Sequence, residues 1–183
     1  QETARLIELT GTLLDRAAAE AGRAVPAHEP VDTGALAQAL RTRYDTIAAE
    51  RGIVFEIGDL AAEGRPVGDE SRLLQVVSAL VTNALRHTPD AGTVRVRAAC
   101  ADGRWCLAVD DSGPGVPAAQ RDRIFERFVR LDDARASTDG GSGLGLSICQ
   151  RLVQLMGGTV SVDDSDLGGA RFVVCLAAAE DVP

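Results

Sequence analysis

At 183 residues with 45% hydrophobic content, the chain can close one full core and carry a short appendage, but two large domains do not fit. The formal net charge of -8 comes without any basic stretch, which argues against nucleic acid as a partner, since phosphate backbones are held by accumulated Lys and Arg. No apolar run approaches the ~20 residues needed to cross a bilayer, so this segment is expected to make no membrane contact, while a small anionic ligand stays open because helix N-termini hold phosphate whatever the net charge.

Residues 1 to about 22 carry Leu6, Ile7, Leu9, Leu13, Leu14 and Ala17 at three- and four-residue steps, the pattern of one amphipathic helix. The chain opens at Gln1 inside that pattern, with neither an initiator Met nor the order of a signal peptide, and so reads as a segment of something longer. Val25 to Pro30 contains two prolines and marks a linker and domain boundary. The expected division is 1–25 helix, 26–31 linker and 32–183 main domain.

Asp32 is placed to cap a helix over 33–51, ended by Gly52. A short β-rich run follows at 53–57, and Gly64 to Gly68 allows at most a brief edge strand. Asp69 caps a long helix over 70–87, whose Leu73, Val76, Val77, Leu80, Val81 and Ala84 form an apolar stripe, with Pro89 just beyond its end. Residues 93–98 alternate strictly and, through the Asp102-Gly103 turn, predict a hairpin with 105–109. From Asp110 to Gly143 the composition predicts a turn, a helix of one or two turns and a long loop. A helix at 144–156 and a last strand pair at 159–162 and 170–176 complete an α+β class: a mixed, mostly antiparallel sheet with helices on one face.

The four cysteines, Cys100, Cys106, Cys149 and Cys175, show no C-x-x-C spacing and have only His28 and His87 to help them, which speaks against zinc. They are expected as buried, reduced thiols behaving as small hydrophobes.

Three groups of residues suggest chemistry. Gly140 to Leu146 opens a helix with glycines that let backbone N–H groups approach a phosphate, although the same composition makes a flexible hinge. It is neither a Walker A loop nor a dinucleotide fingerprint. Asp111-Ser112-Gly113-Pro114-Gly115 follows a strand and offers a carboxylate beside a tight turn, where it can accept from an amino group; an ordinary surface turn has the same letters. Asn83, Arg86 and His87 stand at i, i+3 and i+4 on the long helix. An amide for Mg²⁺, a cation for phosphate and a flat ring for a base are thereby on one face, though a solvated helix end also favours Arg and His.

In order and spacing these groups resemble sensor histidine kinases. Asn83 to Pro89 looks like their N box, Asp111 to Gly115 the G1 box, Arg123 to Arg130 the F box and Gly141 to Leu146 the G2 box, with Gly168-Gly169 and Phe172 similar to the closing strand motif. The resemblance runs from about residue 30 to 177. It implies a two-layer α/β sandwich of Bergerat type, the fold of the GHKL ATPases, with the helix at 1–25 a remnant of the dimerisation domain.

By that resemblance the cofactors are ATP and Mg²⁺. Asn83 would hold the metal, Arg86 and Arg130 would reach phosphate, His87 would line the adenine and Asp111 would accept from its amino group. Gly113 and Gly115 would shape the base pocket, while Gly141, Gly143, Leu144, Gly145 and Leu146 would let the lid and next helix meet the triphosphate. Phe125 and Phe128 would anchor the lid by packing. No catalytic residue is expected in this segment itself, because phosphoryl transfer rests on positioning and charge neutralisation. The implied partners are the protein's own dimerisation and histidine-phosphotransfer domain and a response regulator, in the cytoplasmic part of a membrane-anchored sensor. The phospho-accepting histidine is missing, since neither His28 nor His87 has its context.

Two departures stand out: Ala79 where the family has a second Asn, and Ala170 where it has a small hydroxyl residue. Hydrolytic relatives of the chaperone, topoisomerase and mismatch-repair kind place a Glu at the position of Ala79 to activate water, which makes a GHKL-type ATPase the weaker alternative. A non-catalytic nucleotide-binding regulatory module is the third.

Overall fold

A computed structural model describes residues 28–61, 63–129 and 143–179. The N-terminal helical pattern, Arg130 and Gly141 lie outside the described residues. In chain order the elements are β1 (Glu29–Pro30), α1 (Thr33–Glu50), β2 (Val54–Ile57), β3 (Val67–Gly68), α2 (Glu70–His87), β4 (Thr93–Ala101), β5 (Arg104–Asp111), two 3-10 turns at Ala118–Gln120 and Arg123–Phe125, α3 (Gly145–Leu155), β6 (Thr159–Asp164) and β7 (Ala170–Ala177).

Five strands form the main sheet in the order β2-β4-β5-β7-β6, with β2 parallel to β4 and every other pair antiparallel. Period-two alternation sends Val94 and Val96, Trp105, Leu107 and Val109, and Phe172, Val174 and Leu176 to one face, all of them buried. The apolar stripes of α1 (Leu36, Leu40, Tyr44, Ala48), α2 (Leu73, Val76, Val77, Leu80, Val81, Ala84) and α3 (Cys149, Leu152, Val153) complete the same core. This is the two-layer α+β sandwich expected. No helix among the described residues is long and apolar enough to cross a membrane.

Both predicted caps form: Asp32 accepts from Ala35 N at 2.9 Å and Asp69 from Arg72 N at 3.0 Å. The far end of α2 is held by a residue from the end of α1. Arg51 donates to Leu85 O at 2.5 Å, to Thr88 O at 2.8 Å and to Asp90 at 2.9 Å, satisfying helix-end carbonyls that lack intrahelical partners. This fixes where His87 leaves the helix.

Three expectations need correction. Glu29 and Pro30, assigned to a linker, pair antiparallel with β3 as a separate two-stranded ribbon; Pro is tolerated at such an edge. Strand β5 runs on through Asp110 and Asp111, so the acidic pair belongs to the sheet rather than to the loop after it. Cys106 and Cys175 are joined in a disulfide, because they face each other directly in the β5–β7 register on the sheet face away from the helices. Of the remaining two, Cys149 is buried and Cys100 is exposed; burial pushes the Cys149 thiol up to about 12.

Candidate nucleotide site

Asp111 is the last residue of β5 and points to the helix-covered face, where only 2% of it is exposed. Its Oδ1 accepts from Gly113 N at 2.8 Å and from Ala170 N at 3.1 Å, while its main-chain oxygen accepts from Gly169 N at 3.1 Å. Oδ2 takes no hydrogen bond from any described residue. Burial pushes the carboxyl above its ordinary 3.8, opposed by those two N–H donors and by His87, with Asp110 adding to the rise.

Gly169 is where the close approach is made. A Cβ there would lie 2.2 Å from Asp111 Oδ1 and 2.4 Å from Asp111 O, so only glycine lets the β6–β7 turn press against the carboxylate. Gly113 packs in the same way against His87, whose carbonyl would be 2.7 Å from an added Cβ, and Gly115 lies against the Gly169 backbone. Ser112 ties the turn back to β4, donating N–H to Thr93 O at 3.0 Å and accepting from Thr93 N at 2.8 Å. Ala170 contributes only its backbone N–H to this arrangement.

The His87 side chain is exposed at the end of α2. Partial desolvation, and then the charge of Arg86, hold its pKa below the ordinary 6.5, against the pull of Asp111; the ring is therefore neutral at physiological pH.

Asn83 and Arg86 line a cavity of about 580 Å³ together with Ala79, Arg43, Gly145 and Leu146. Neither makes a side-chain hydrogen bond with another described residue. Gly143 adopts φ +70, and its carbonyl accepts from Phe128 N at 3.1 Å. Leu144 precedes α3 and makes no side-chain cap hydrogen bond, so among the described residues no side chain at the N-cap competes with an anion for the first N–H groups of that helix. Phe125 is buried edge-on against Phe172, with ring centroids 6.5 Å apart. Phe128 departs from the packing role expected of it: it is 49% exposed, at φ +64, because the chain turns there to meet Gly143.

The described candidates thus fall in two clusters along α2: His87, Asp111, Gly113 and Gly115 at its end, and Asn83, Arg86, Gly145 and Leu146 one turn earlier. Reading along the sequence missed Arg43, on α1, which lines the second cluster's cavity and donates to Ser78 Oγ at 3.4 Å. Its signal was faint, an Arg beside the buried Tyr44 on an otherwise polar helix face.

A strand-end carboxylate aimed at the core face, a helix bearing Asn and Arg, and a helix start with no side-chain cap among the described residues are features that suit a nucleotide. A profile of the "Histidine kinase-, DNA gyrase B-, and HSP90-like ATPase" family matches residues 68–180. The sensor histidine kinase TmoS of Ectopseudomonas mendocina is 34% identical over 93% of this chain, which spans 18% of TmoS. The solved structure of the mycobacterial sensor histidine kinase MprB shares 31% identity at TM-score 0.65, covering 82% of this chain and 97% of that one. A structure of full-length ShkA in complex with AMPPNP shares 36% identity at TM-score 0.70, covering 83% of this chain and 32% of that one. The chain belongs to this ATPase family, as a sensor histidine kinase ATP-binding catalytic domain of the GHKL superfamily.

Proposed function

We propose that this domain binds Mg-ATP in the groove between α2, the end of β5 and the start of α3, and donates the γ-phosphoryl group to a histidine on a dimerisation helix outside this chain, for relay to a response regulator. The observation that carries the reading is Asp111. Two backbone donors occupy Oδ1, which leaves Oδ2 to accept from the adenine amino group, and a donor at that position repays the cost of keeping the buried carboxylate ionised. Gly113 and Gly115 bring backbone to the base, and the neutral His87 ring lies beside it.

Asn83 is the protein's amide oxygen for Mg²⁺. Among the described residues no group of three or more His, Cys, Asp or Glu is arranged to hold a metal. Mg²⁺ keeps several waters and few protein ligands, so Asn83 would share it with the nucleotide's phosphate oxygens, where it would neutralise charge on the transferred group. Arg86 pairs with phosphate, as does Arg130 by family resemblance, and Gly143 to Leu146, with Gly141, present backbone to the triphosphate. The domain positions and neutralises, and residues 1–25 are read as the remnant of the helix pair that supplies the acceptor.

Ala79 favours a second reading. Its methyl group lines the cavity beside Asn83 where a polar side chain would assist, which supports a module that binds nucleotide without transferring phosphate. The same methyl group cannot activate water, so it weighs against a hydrolase.

Titration with ATP by calorimetry, with and without Mg²⁺, tests the site: binding is expected to be magnesium-dependent and to fall about tenfold to a hundredfold in Asp111→Asn. Mixing the domain with a separate four-helix acceptor domain and radiolabelled ATP decides between the readings. Label appearing on the acceptor supports the kinase, and binding without label supports the regulatory module.

A further inference from the structure

The sheet face away from the helices carries a charge cluster, built around one buried carboxylate, that the site described so far does not use. Asp110 is 0% exposed, yet alternation along β5 turns it opposite to Asp111. It accepts from Arg171 Nε at 2.6 Å, Arg97 Nε at 2.9 Å and Ser165 Oγ at 3.0 Å. Both arginines continue to Asp166, Arg171 Nη2 at 2.6 Å and Arg97 Nη2 at 3.2 Å, and Arg95 joins Asp166 at 3.4 Å to Glu56 at 2.9 Å. The cluster therefore spans β2, β4, β5, β7 and the β6–β7 turn.

Its partners are the residues that shape that turn. Ser165 Oγ accepts from Leu167 N at 3.1 Å, Ser165 N donates to Gly169 O at 2.8 Å and Gly168 N donates to Ser165 O at 3.0 Å. The same turn delivers Gly169 N and Ala170 N to Asp111. One acidic residue thus fixes, from behind the sheet, the backbone that fixes its neighbour in front of it.

We infer that Asp110, with Arg171, Arg97 and Ser165, is a positioning group for base recognition: it locks the β6–β7 turn so that Asp111 Oδ1 stays occupied and Oδ2 stays aimed at the ligand's amino group. This rests on the reading of Asp111 as the base acceptor. Burying the Asp110 carboxylate under two partly exposed guanidinium groups carries a desolvation cost that an apolar residue at that place would not. The distinctive property of the pairing is directional geometry, because the Arg fork fixes angles as well as distance.

The test measures dissociation constants of the 183-residue chain for ATP and for inosine triphosphate, in which a carbonyl oxygen replaces the amino group. Wild type is expected to prefer ATP by about tenfold or more, the worth of one charge-assisted hydrogen bond. Asp110→Asn should lose most of that preference while inosine triphosphate binding changes less than about twofold. A general loosening of the fold would instead weaken both ligands alike. Ser165→Ala, which keeps both arginines on Asp110, should shift the preference in the same direction by about threefold, and serves where Asp110→Asn does not fold. An unchanged preference in the folded variants, beside its loss in Asp111→Asn, would overturn the positioning role and leave the base acceptor standing. No preference in wild type would overturn both.

Discussion

The two ends of the candidate site are built on different terms. At the proposed base end the G1 turn is tied to the sheet by several bonds, Asp111 Oδ1 to Gly113 and Ala170, its main-chain oxygen to Gly169 and Ser112 to Thr93, with Asp111 Oδ2 left over. At the phosphate end Asn83 and Arg86 stand in a cavity of about 580 Å³ with no side-chain partner among the described residues. On the proposed reading the base end is thus preorganised by strands, whereas the phosphate end takes its counter-charge from the ligand. Such a division makes recognition rigid and the reacting end adaptable.

Intrusion at the base end should break that contrast most severely. Gly169→Ala places a methyl group inside the Asp111 contact, and overpacking of this kind is expected to cost about 3 kcal/mol of ATP affinity, roughly a hundredfold; calorimetry, with circular dichroism to check folding, reads it. Asn83→Ala strikes only the other end. It should remove the magnesium-dependent gain, about tenfold, and leave metal-free ADP binding within about twofold, and equal losses with and without the metal would deny Asn83 its role.

Acidity separates recognition from stability. Because burial raises the Asp111 pKa in the fold, its stabilising contribution is complete below the unfolded pKa and is lost as pH rises through the folded one. ATP binding runs oppositely, since the amino group needs the carboxylate, and should weaken as pH falls through the raised pKa. Wild type titrated across the acid range should show this slope, and Asp111→Asn should flatten it. The smallest effect is expected at Phe128, which holds φ +64 while 49% exposed. Phe128→Gly should relieve the left-handed strain against a larger backbone entropy, a net gain of about 0.5–1 kcal/mol seen in thermal unfolding.

Much of this was legible from local pattern. The caps at Asp32 and Asp69, the stripe on α2 and the hairpin around Asp102-Gly103 follow from rules that act over a few residues, and they set the fold. Asn83 and Asp111 were each ambiguous by helix spacing and turn letters alone, and they stood out only through the order of motifs that resembles the sensor histidine kinases. What escaped depends on which strands become neighbours. Asp110 and Asp111 look alike in sequence, and only the order β4-β5-β7 gives one of them two arginines and the other Ala170 N, beside its local donor Gly113 N. The Cys106–Cys175 bond and the pairing of Pro30 with Val67 were hidden for the same reason, and Arg43 because the α1–α2 packing that brings it to Ser78 is a tertiary fact.

The bond between Cys106 and Cys175 has a topological consequence. It closes a ring with a sequence separation of 69 that contains Asp111, both 3-10 turns, all of α3 and β6. In the chain-entropy account a ring of that size disfavours the unfolded chain by about 4 kcal/mol. A single proteolytic cut anywhere inside the ring would add one water but leave the two pieces joined as one particle until a reductant is added, so the G2 segment stays linked to the sheet at both of its ends even when its own backbone is broken.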